Sequence, residues 1–316
     1  MLKAHVDKEI VVNSVTEFLK DPIKNSKEFI NFLSEGSDLV IYGNLDNEQL
    51  NLVSKLLEGR QDSDIRYVAR EYSERKNRID LNNPYQVFFL NINDIDKQKI
   101  ERDHNHFLCG FIDDYQAVFK TLSSDPYKRV KDPKSKHNFS GWSDILPNYP
   151  VTDIIISDPY LFKDGKDQRP IEENYYRLLR EFASKYVLVS LLVFAPDVGD
   201  YDKRKDIIDK SRMILGEKVI FGLMGLSQVV EHDRYIFMNY CYINTGSSTN
   251  YFNNEGDVSV KSSSKIELFP LIKPKNFEIL EDVLRKLFAE FEILKSENPI
   301  PAFINSRLFY CIKDGC

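Results

Sequence analysis

The sequence has few cysteines, a single tryptophan and no long hydrophobic run. Its four cysteines (Cys109, Cys241, Cys311 and Cys316) are scattered and form no Cys-x-x-Cys pair. This argues against a zinc ribbon or a disulfide framework and favours a reducing, cytoplasmic setting. No window approaches eighteen uninterrupted apolar residues, so we expect no transmembrane helix. The first residues also lack the charged-then-apolar layout of a secretory signal.

An excess of basic residues is absent as well. The chain has 43 lysines and arginines against 49 aspartates and glutamates, a net charge of −6. Proteins that hold nucleic acid along a broad face usually have the opposite balance, so any nucleic-acid contact is expected to be local. Glycine-rich phosphate loops, Gly-x-Ser-x-Gly elbows, His-Glu-x-x-His and EF-hand patterns are also missing. We therefore predict no bound metal and no cofactor.

The 316 residues, 42% of them hydrophobic, suit one large domain or two small ones. Their periodicity predicts an α/β fold that starts with a helical extension over residues 2–33. The next segments predict, in order, a strand, a helix, two strands and a β-hairpin, at 38–43, 46–58, 64–68, 86–92 and 106–119. The hairpin is expected because Asp113-Asp114 separates two apolar runs.

Residues 126–150 are rich in proline and include a basic cluster at 128–136. This composition predicts a linker between two sub-domains, 1–125 and 151–316, although a surface loop inserted in one domain fits equally well. The basic cluster could contact phosphates, but a charged linker is the simpler interpretation.

After Pro150 the same order of elements starts again. The predicted strands, helices and second hairpin lie at 153–158, 172–185, 186–194, 201–215, 218–226, 234–244 and 277–294. The run 186–194 is so continuously apolar that both of its faces must be covered, which favours an interior strand. The repeated order predicts two half-repeats.

The segment 231–250, EHDRYIFMNYCYINTGSSTN, holds the residues that point to a chemistry. Its spacing resembles the phospholipase D superfamily motif, His-x-Lys-x4-Asp-x6-Gly-Ser-x-Asn, which opens a β-hairpin. The matching positions, in motif order, are His232, Arg234, Asn239, Gly246, Ser247, Thr249 and, one residue late, Asn250. Arginine thus replaces lysine, asparagine replaces aspartate, and threonine occupies the asparagine position.

Within that superfamily, Asp158-Pro159-Tyr160 and His232-Asp233-Arg234 most resemble the phospholipase D-like C-terminal domain of MIT-domain proteins, which is likewise catalytically degenerate. The resemblance covers about residues 150–295. It implies a phospholipase D-like fold, with a mixed sheet flanked by helices and two half-repeats that follow the helical N-terminal extension.

The resemblance implies the chemistry of the active members of the superfamily, in which one histidine attacks phosphorus and a second protonates the leaving oxygen. His232 is then the candidate nucleophile. Arg234 keeps a positive charge as a planar fork suited to phosphate, whereas Asn239 lacks the carboxylate that orients an imidazolium. Because residues i and i+2 of a strand share a face, His232 and Arg234 are expected to point into one groove. The candidate binding residues are Arg234, Asn239, Ser247, Thr249 and Asn250.

The first half contains a weak echo of the motif. Asp113 follows His106 by seven residues, the same offset as from His232 to Asn239. Leu108 takes the lysine position, however, and Lys120 falls where glycine is expected. A strand-edge histidine and a turn aspartate are the plainer interpretation. If the echo is genuine, His106 is a candidate general acid that faces His232 across a pseudo-two-fold axis.

We therefore expect a catalytically degenerate phospholipase D-like protein that binds a phosphate-bearing ligand, either nucleic acid or a lipid headgroup, or a protein partner. One alternative is a metal-independent phosphodiesterase or nuclease with His232 as nucleophile, completed by His106 or by the second subunit of a homodimer. Another is a structural or regulatory subunit of a bacterial defence or mobile-element system.

Overall fold

The chain forms two compact units, Met1–Ser124 with Pro270–Phe277, and Asp125–Phe269 with Glu278–Cys316. The structure is a computed structural model. It describes residues 1–21, 27–57, 65–68, 82–91, 108–111, 113–129, 138–162, 170–226, 233–246, 249, 251–258, 265–297 and 306–313. Among these residues, no helix combines the length and the hydropathy that are needed to cross a bilayer.

The first unit contains a five-stranded sheet in the order β3-β2-β1-β4-β5, in which every neighbouring pair is parallel. Its strands are β1 (Leu2–Asp7), β2 (Ser37–Tyr42), β3 (Arg66–Val68), β4 (Gln86–Leu90) and β5 (Leu108–Phe111). Its helices are α1 (Lys8–Lys20), α2 (Lys27–Glu35), α3 (Asn47–Leu57) and α4 (Tyr115–Ser123). The predicted strands β2, β3 and β4 and the predicted helix α3 are confirmed.

The predicted helical extension is wrong at its start, because residues 2–7 form β1, the central strand. The apolar spacing of α1 continues backwards into this strand, so hydrophobic periodicity does not show where the strand ends and the helix begins.

The strand also buries His5, and each of its ring nitrogens has a hydrogen-bond partner on a neighbouring strand. Nδ1 lies 2.8 Å from the Tyr42 hydroxyl and Nε2 lies 3.0 Å from Gln86 Oε1.

The predicted first hairpin is also wrong, because residues 115–123 form helix α4 rather than a second strand. The Asp114 carboxylate accepts a hydrogen bond from the Phe111 amide at 2.6 Å and so supports a turn from strand to helix. Tyr115 and Phe119 then pack on Phe29, with ring centroids 5.1 and 5.2 Å apart. The described residues of the first unit therefore form a parallel α/β sheet, in which residues 108–123 do not repeat the hairpin of the second unit.

The second unit contains a seven-stranded mixed sheet in the order β6-β12-β11-β10-β7-β8-β9. Its strands are β6 (Tyr127–Arg129), β7 (Asp153–Ser157), β8 (Ser190–Pro196), β9 (Ile220–Leu226), β10 (Tyr235–Met238), β11 (Cys241–Asn244) and β12 (Lys265–Pro270). Its helices are α5 (Arg177–Lys185), which follows a π-helical turn (Glu172–Tyr176), α6 (Tyr201–Leu215), α7 (Pro274–Glu297) and α8 (Tyr310–Lys313). The start of α7 belongs to the first unit.

The sequence predicted most of this second sheet correctly. β8 is an interior strand, parallel to both β7 and β9, as its continuous apolar run indicated. β10 and β11 form the predicted antiparallel hairpin. The α/β class and the mixed sheet flanked by helices are therefore confirmed.

The second half of the predicted linker packs into the mixed-sheet unit. Phe139 and Trp142 are buried, with their ring centroids 5.4 Å apart, and Trp142 also packs on Tyr251 at 5.6 Å. Aromatic burial of this kind makes residues 138–150 part of a core rather than a spacer. Residues 130–137, which hold most of the predicted basic cluster, lie outside the described residues.

A buried ion pair anchors the C-terminal segment at the amino end of β7. The Asp153 carboxylate is fully buried and accepts hydrogen bonds from Arg307 Nε and Nη2 at 2.5–3.2 Å. The hydroxyls of Thr152 and Ser190 each donate to the same carboxylate at 2.7 Å. A carboxylate with this many donors is well satisfied, but it would be strongly unfavourable without its cation.

Replacing Arg307 by alanine should therefore lower the free energy of unfolding by about 3–5 kcal/mol, because the substitution leaves a buried charge unpaired. Urea denaturation measures this loss. Arg285 offers a matched control, since it pairs with Glu281 on an exposed helix face. Arg285→Ala should change stability by less than about 0.5 kcal/mol. Equal effects of the two substitutions would contradict the anchoring role of Arg307.

The Cys241 thiol should resist alkylation in the folded protein. Burial raises its pKa to about 12, so at pH 8 its thiolate fraction is about a thousandfold lower than in the unfolded chain. Iodoacetamide labelling, followed by mass spectrometry of the Cys241 peptide, should show slow modification in buffer and fast modification in urea. The folded state also holds this proton more tightly, so its contribution to stability is present below pH ~8.5 and is lost as the pH rises towards 12. Rapid native labelling of Cys241 would contradict this account.

Candidate functional site

The antiparallel pairing of β10 with β7 brings Arg234 close to Asp158. Tyr235 pairs with Ser157, so the residue before β10 and the residue after β7 meet at one edge of the sheet. The loop that follows β11 returns to the same edge, because the amide and hydroxyl of Thr245 both donate to the Arg234 carbonyl. We call this cluster the Arg234 site: Asp158, Tyr160, Arg234, Thr245, Gly246, Thr249 and Tyr251.

The buried Asp158 carboxylate joins two segments of the site. Its Oδ1 accepts from the Tyr160 amide at 2.9 Å. Its Oδ2 accepts from the Thr249 amide at 3.0 Å and from the Thr249 hydroxyl at 2.8 Å. Asp158 therefore holds the turn after β7 and the loop after β11 in one arrangement, with donors that compensate for the burial of its charge.

The Arg234 guanidinium lies over an aromatic ring and has one backbone acceptor. Its Cζ is 4.4 Å from the centroid of the Tyr160 ring, and its Nη1 donates to the Gly246 carbonyl at 3.2 Å. Gly246 has a φ of 66°, a left-handed conformation that favours glycine. Nε is buried and finds no hydrogen-bond partner among the described residues. The ring and the carbonyl thus orient the guanidinium plane, and no described residue supplies an acceptor for Nε.

Tyr251 supports the loop from inside the core. Its hydroxyl donates to the Thr245 carbonyl, and its ring packs on Trp142. Burial raises the pKa of Tyr251 far above its usual value, with a further increase from the Asp158 charge and opposing effects from Thr245 and Arg234. The phenol therefore keeps its proton and its hydrogen bond at any physiological pH.

Asn239, predicted as a binding residue, lies away from Arg234. The two residues flank opposite ends of β10. Asn239 is fully buried, and its Oδ1 accepts from the amides of Thr152 and Asp153 at 2.8 and 3.1 Å. Its Nδ2 donates to the Thr152 hydroxyl at 2.9 Å. The side chain therefore ties the hairpin turn to the amino end of β7, beside the Asp153–Arg307 pair.

The remaining predicted residues divide into two groups. Thr249 belongs to the Arg234 site, but it is 2% exposed and its hydroxyl is directed at Asp158, so it positions the loop. His232, His106, Ser247 and Asn250 lie outside the described residues. The shared groove of His232 and Arg234 thus stays a prediction. Within the described ranges, no group of three or more His, Cys, Asp or Glu side chains is arranged to hold a metal ion.

Sequence reasoning missed three residues that support the site. Asp158 and Tyr160 had a signal, since Asp-Pro-Tyr directly follows a predicted strand and belongs to the resemblance. Tyr251 lies one residue past the motif, and no pattern in the sequence distinguishes it from the other 16 tyrosines. Its role depends on the ring contact with Trp142, over a hundred positions earlier.

No protein-family model matches the chain, and a search of curated proteins gives no match. The resemblance to the phospholipase D superfamily therefore stays a prediction from the motif spacing and from the residues that occupy it.

Restoring the aspartate of the motif at position 239 should destabilise the protein. Asn239→Asp would place a second carboxylate next to the buried Asp153 and would lose the donor to Thr152. We expect the free energy of unfolding to fall by about 2–4 kcal/mol at pH 7. Burial raises a carboxyl pKa, so the loss should shrink as the pH falls towards 4.

Urea denaturation at pH 7 and pH 4.5 measures both effects. Asn148 is exposed, and Asn148→Asp should change stability by less than about 0.5 kcal/mol at either pH. A neutral or stabilising effect of Asn239→Asp would contradict the buried role assigned to Asn239.

Proposed function

We propose that this protein binds a phosphate-bearing ligand at Arg234, in a phospholipase D-like site whose catalytic residues are degenerate. One observation carries the proposal: the Arg234 guanidinium is held in a defined plane, yet its Nε has no hydrogen-bond partner in the described part of the chain. A buried donor on a charged group that lacks an acceptor is unfavourable and calls for an explanation.

The free side of the guanidinium suits an oxyanion. Nη1 is occupied by the Gly246 carbonyl, so a bidentate contact would use the edge formed by Nε and Nη2, and the anion would have to reach the buried Nε. Arginine binds phosphate through such paired donors, and stacking on an aromatic ring keeps the fork in position. The described residues place no carboxylate within ion-pair distance of Arg234 that would neutralise it internally.

The position of Arg234 in the motif supports phosphate as the anion. It stands where the superfamily has the lysine that neutralises phosphate charge, and it keeps that charge. The neighbouring changes favour binding over turnover. Asn239 is directed towards the far end of β7, and Thr249 gives its hydroxyl to Asp158 rather than to a ligand.

Replacing Arg234 by glutamine should weaken the binding of inorganic pyrophosphate at least about tenfold, because a charge-assisted bidentate contact is lost. The intrinsic fluorescence of Trp142, the single tryptophan, reports on the loop through Tyr251 and gives the titration signal. Isothermal calorimetry provides the same midpoint independently.

Arg204 is the matched control, because it is also partly buried and donates to a backbone carbonyl, that of Leu223, at 3.2 Å. Arg204→Gln should leave the pyrophosphate midpoint within about twofold of wild type. Equal midpoints for wild type and Arg234→Gln would overturn the proposal.

A competition experiment distinguishes the sources of the phosphate. Displacement of pyrophosphate by single-stranded oligonucleotide would indicate nucleic acid. Displacement by vesicles that contain anionic phospholipid would indicate a lipid headgroup.

A further inference from the structure

The loop that carries the Arg234 site is clamped at its far end by one buried amide. Asn174 is 1% exposed and contacts both backbone polar groups of Phe252. Its Oδ1 accepts from the Phe252 amide at 2.7 Å, and its Nδ2 donates to the Phe252 carbonyl at 2.9 Å. Nδ2 also donates to the Pro170 carbonyl at 3.0 Å. The side-chain amide of Asn174 thus pairs with both the N–H and the C=O of Phe252, as the backbone of a neighbouring β-strand would.

A second side chain on the same helical segment binds the next part of the loop. Arg177 lies with its Cζ 4.0 Å from the centroid of the Phe252 ring and donates from Nη1 to the Gly256 carbonyl at 2.9 Å. Asn174 and Arg177 are three residues apart, so both side chains face the loop.

The backbone around Asn174 has an unusual geometry. Residues Glu172–Tyr176 form a π-helical turn, in which the Tyr176 amide donates to the Ile171 carbonyl at 3.0 Å. Such turns are rare and occur frequently at functional sites, because the extra residue redirects the side chains that follow. Here the turn lies where Asn174 meets the loop.

We propose that Asn174 is the positioning residue of the Arg234 site, an inference that rests on the proposed function. Phe252 is adjacent to Tyr251, whose hydroxyl holds the Thr245 carbonyl. Thr245 and Gly246 in turn contact the backbone and the guanidinium of Arg234. Fixing Phe252 therefore fixes the carbonyl that orients the Arg234 fork, so Asn174 controls anion affinity without touching the anion.

The experiment is a pyrophosphate titration of Asn174→Leu, read by Trp142 fluorescence and by calorimetry. Leucine has the same branching and the same number of side-chain heavy atoms but makes none of the three hydrogen bonds. We expect the midpoint to rise about tenfold and the emission of Trp142 to change before any ligand is added. Asn174→Asp keeps the oxygen that accepts from the Phe252 amide, so its midpoint should fall between those of the wild type and Asn174→Leu.

Tyr175→Phe is the matched control. Tyr175 lies in the same π-helical turn and is equally buried, and its hydroxyl lies 3.1 Å from the Ser211 hydroxyl and makes no contact with Phe252 in the described residues. This substitution also removes a buried hydrogen bond, so it should lower stability while leaving the midpoint and the Trp142 emission unchanged. Arg177→Met, at a half-buried position, tests the same loop should Asn174→Leu fail to fold, with an expected rise of about threefold.

The outcomes separate the two proposals. Equal midpoints for wild type, Asn174→Leu and Arg177→Met, together with a weakened Arg234→Gln, would overturn the positioning role alone. A midpoint that rises as much in Tyr175→Phe as in Asn174→Leu would also overturn it, since general loosening would then explain the effect. Failure of the wild-type protein to bind pyrophosphate would overturn both proposals.

Discussion

β10 pairs antiparallel with β7, and the two ends of β7 are each marked by a buried aspartate. Asp153 begins the strand and Asp158 follows it. Because the strands run in opposite directions, Asn239 meets Asp153 and Arg234 meets Asp158. The positions of Arg234 and Asn239 relative to the two aspartates follow from this single pairing. A one-residue change of register would direct these side chains to other partners and to the opposite face of the sheet.

The two carboxylates are stabilised in different ways. We relate this difference to a structural role for Asp153 and to the proposed binding site beside Asp158. The buried Asp153 carboxylate pairs with Arg307, a partly buried cation, so its charge is neutralised within the protein. In the described part of the chain, Asp158 accepts hydrogen bonds from two backbone amides and one hydroxyl. Within the described residues, no ion pair joins Asp158 to Arg234, which is compatible with the proposed contact between Arg234 and an external anion. The difference explains why one end of β7 anchors the C-terminal segment while the other end carries the proposed site.

The proposed site depends on contacts that are distant in sequence. Tyr160 orients Arg234, Tyr251 supports the loop that supplies Gly246, and Asn174 holds that loop at Phe252. Trp142 packs on Tyr251 and comes from a segment whose proline content resembles that of a linker. Together these side chains surround one guanidinium and hold its neighbours in place, and the proposed affinity for an anion depends on such preorganisation.

The hydrophobic pattern of the sequence was enough to predict some helices and strands of the second unit. The continuous apolar run of β8, the hairpin of β10 and β11 and the helix α7 are each visible in the sequence, since burial of one face or both faces leaves a repeat in the residues themselves. The same reasoning failed at β1, where the period of α1 extends into the strand, and at α4, where Asp113-Asp114 resembles a hairpin turn. In both places a strand and a helix adjoin without a break in hydrophobicity.

The sequence by itself also determined the α/β class and the motif spacing that drew attention to Arg234. Only the tertiary structure decided that Asn239 contacts Thr152 and Asp153, that Thr249 contacts Asp158, and that Asn174 contacts Phe252. The physical reason is that a buried polar side chain is defined by the partner that satisfies it, and that partner is supplied by chain pairing over tens of residues.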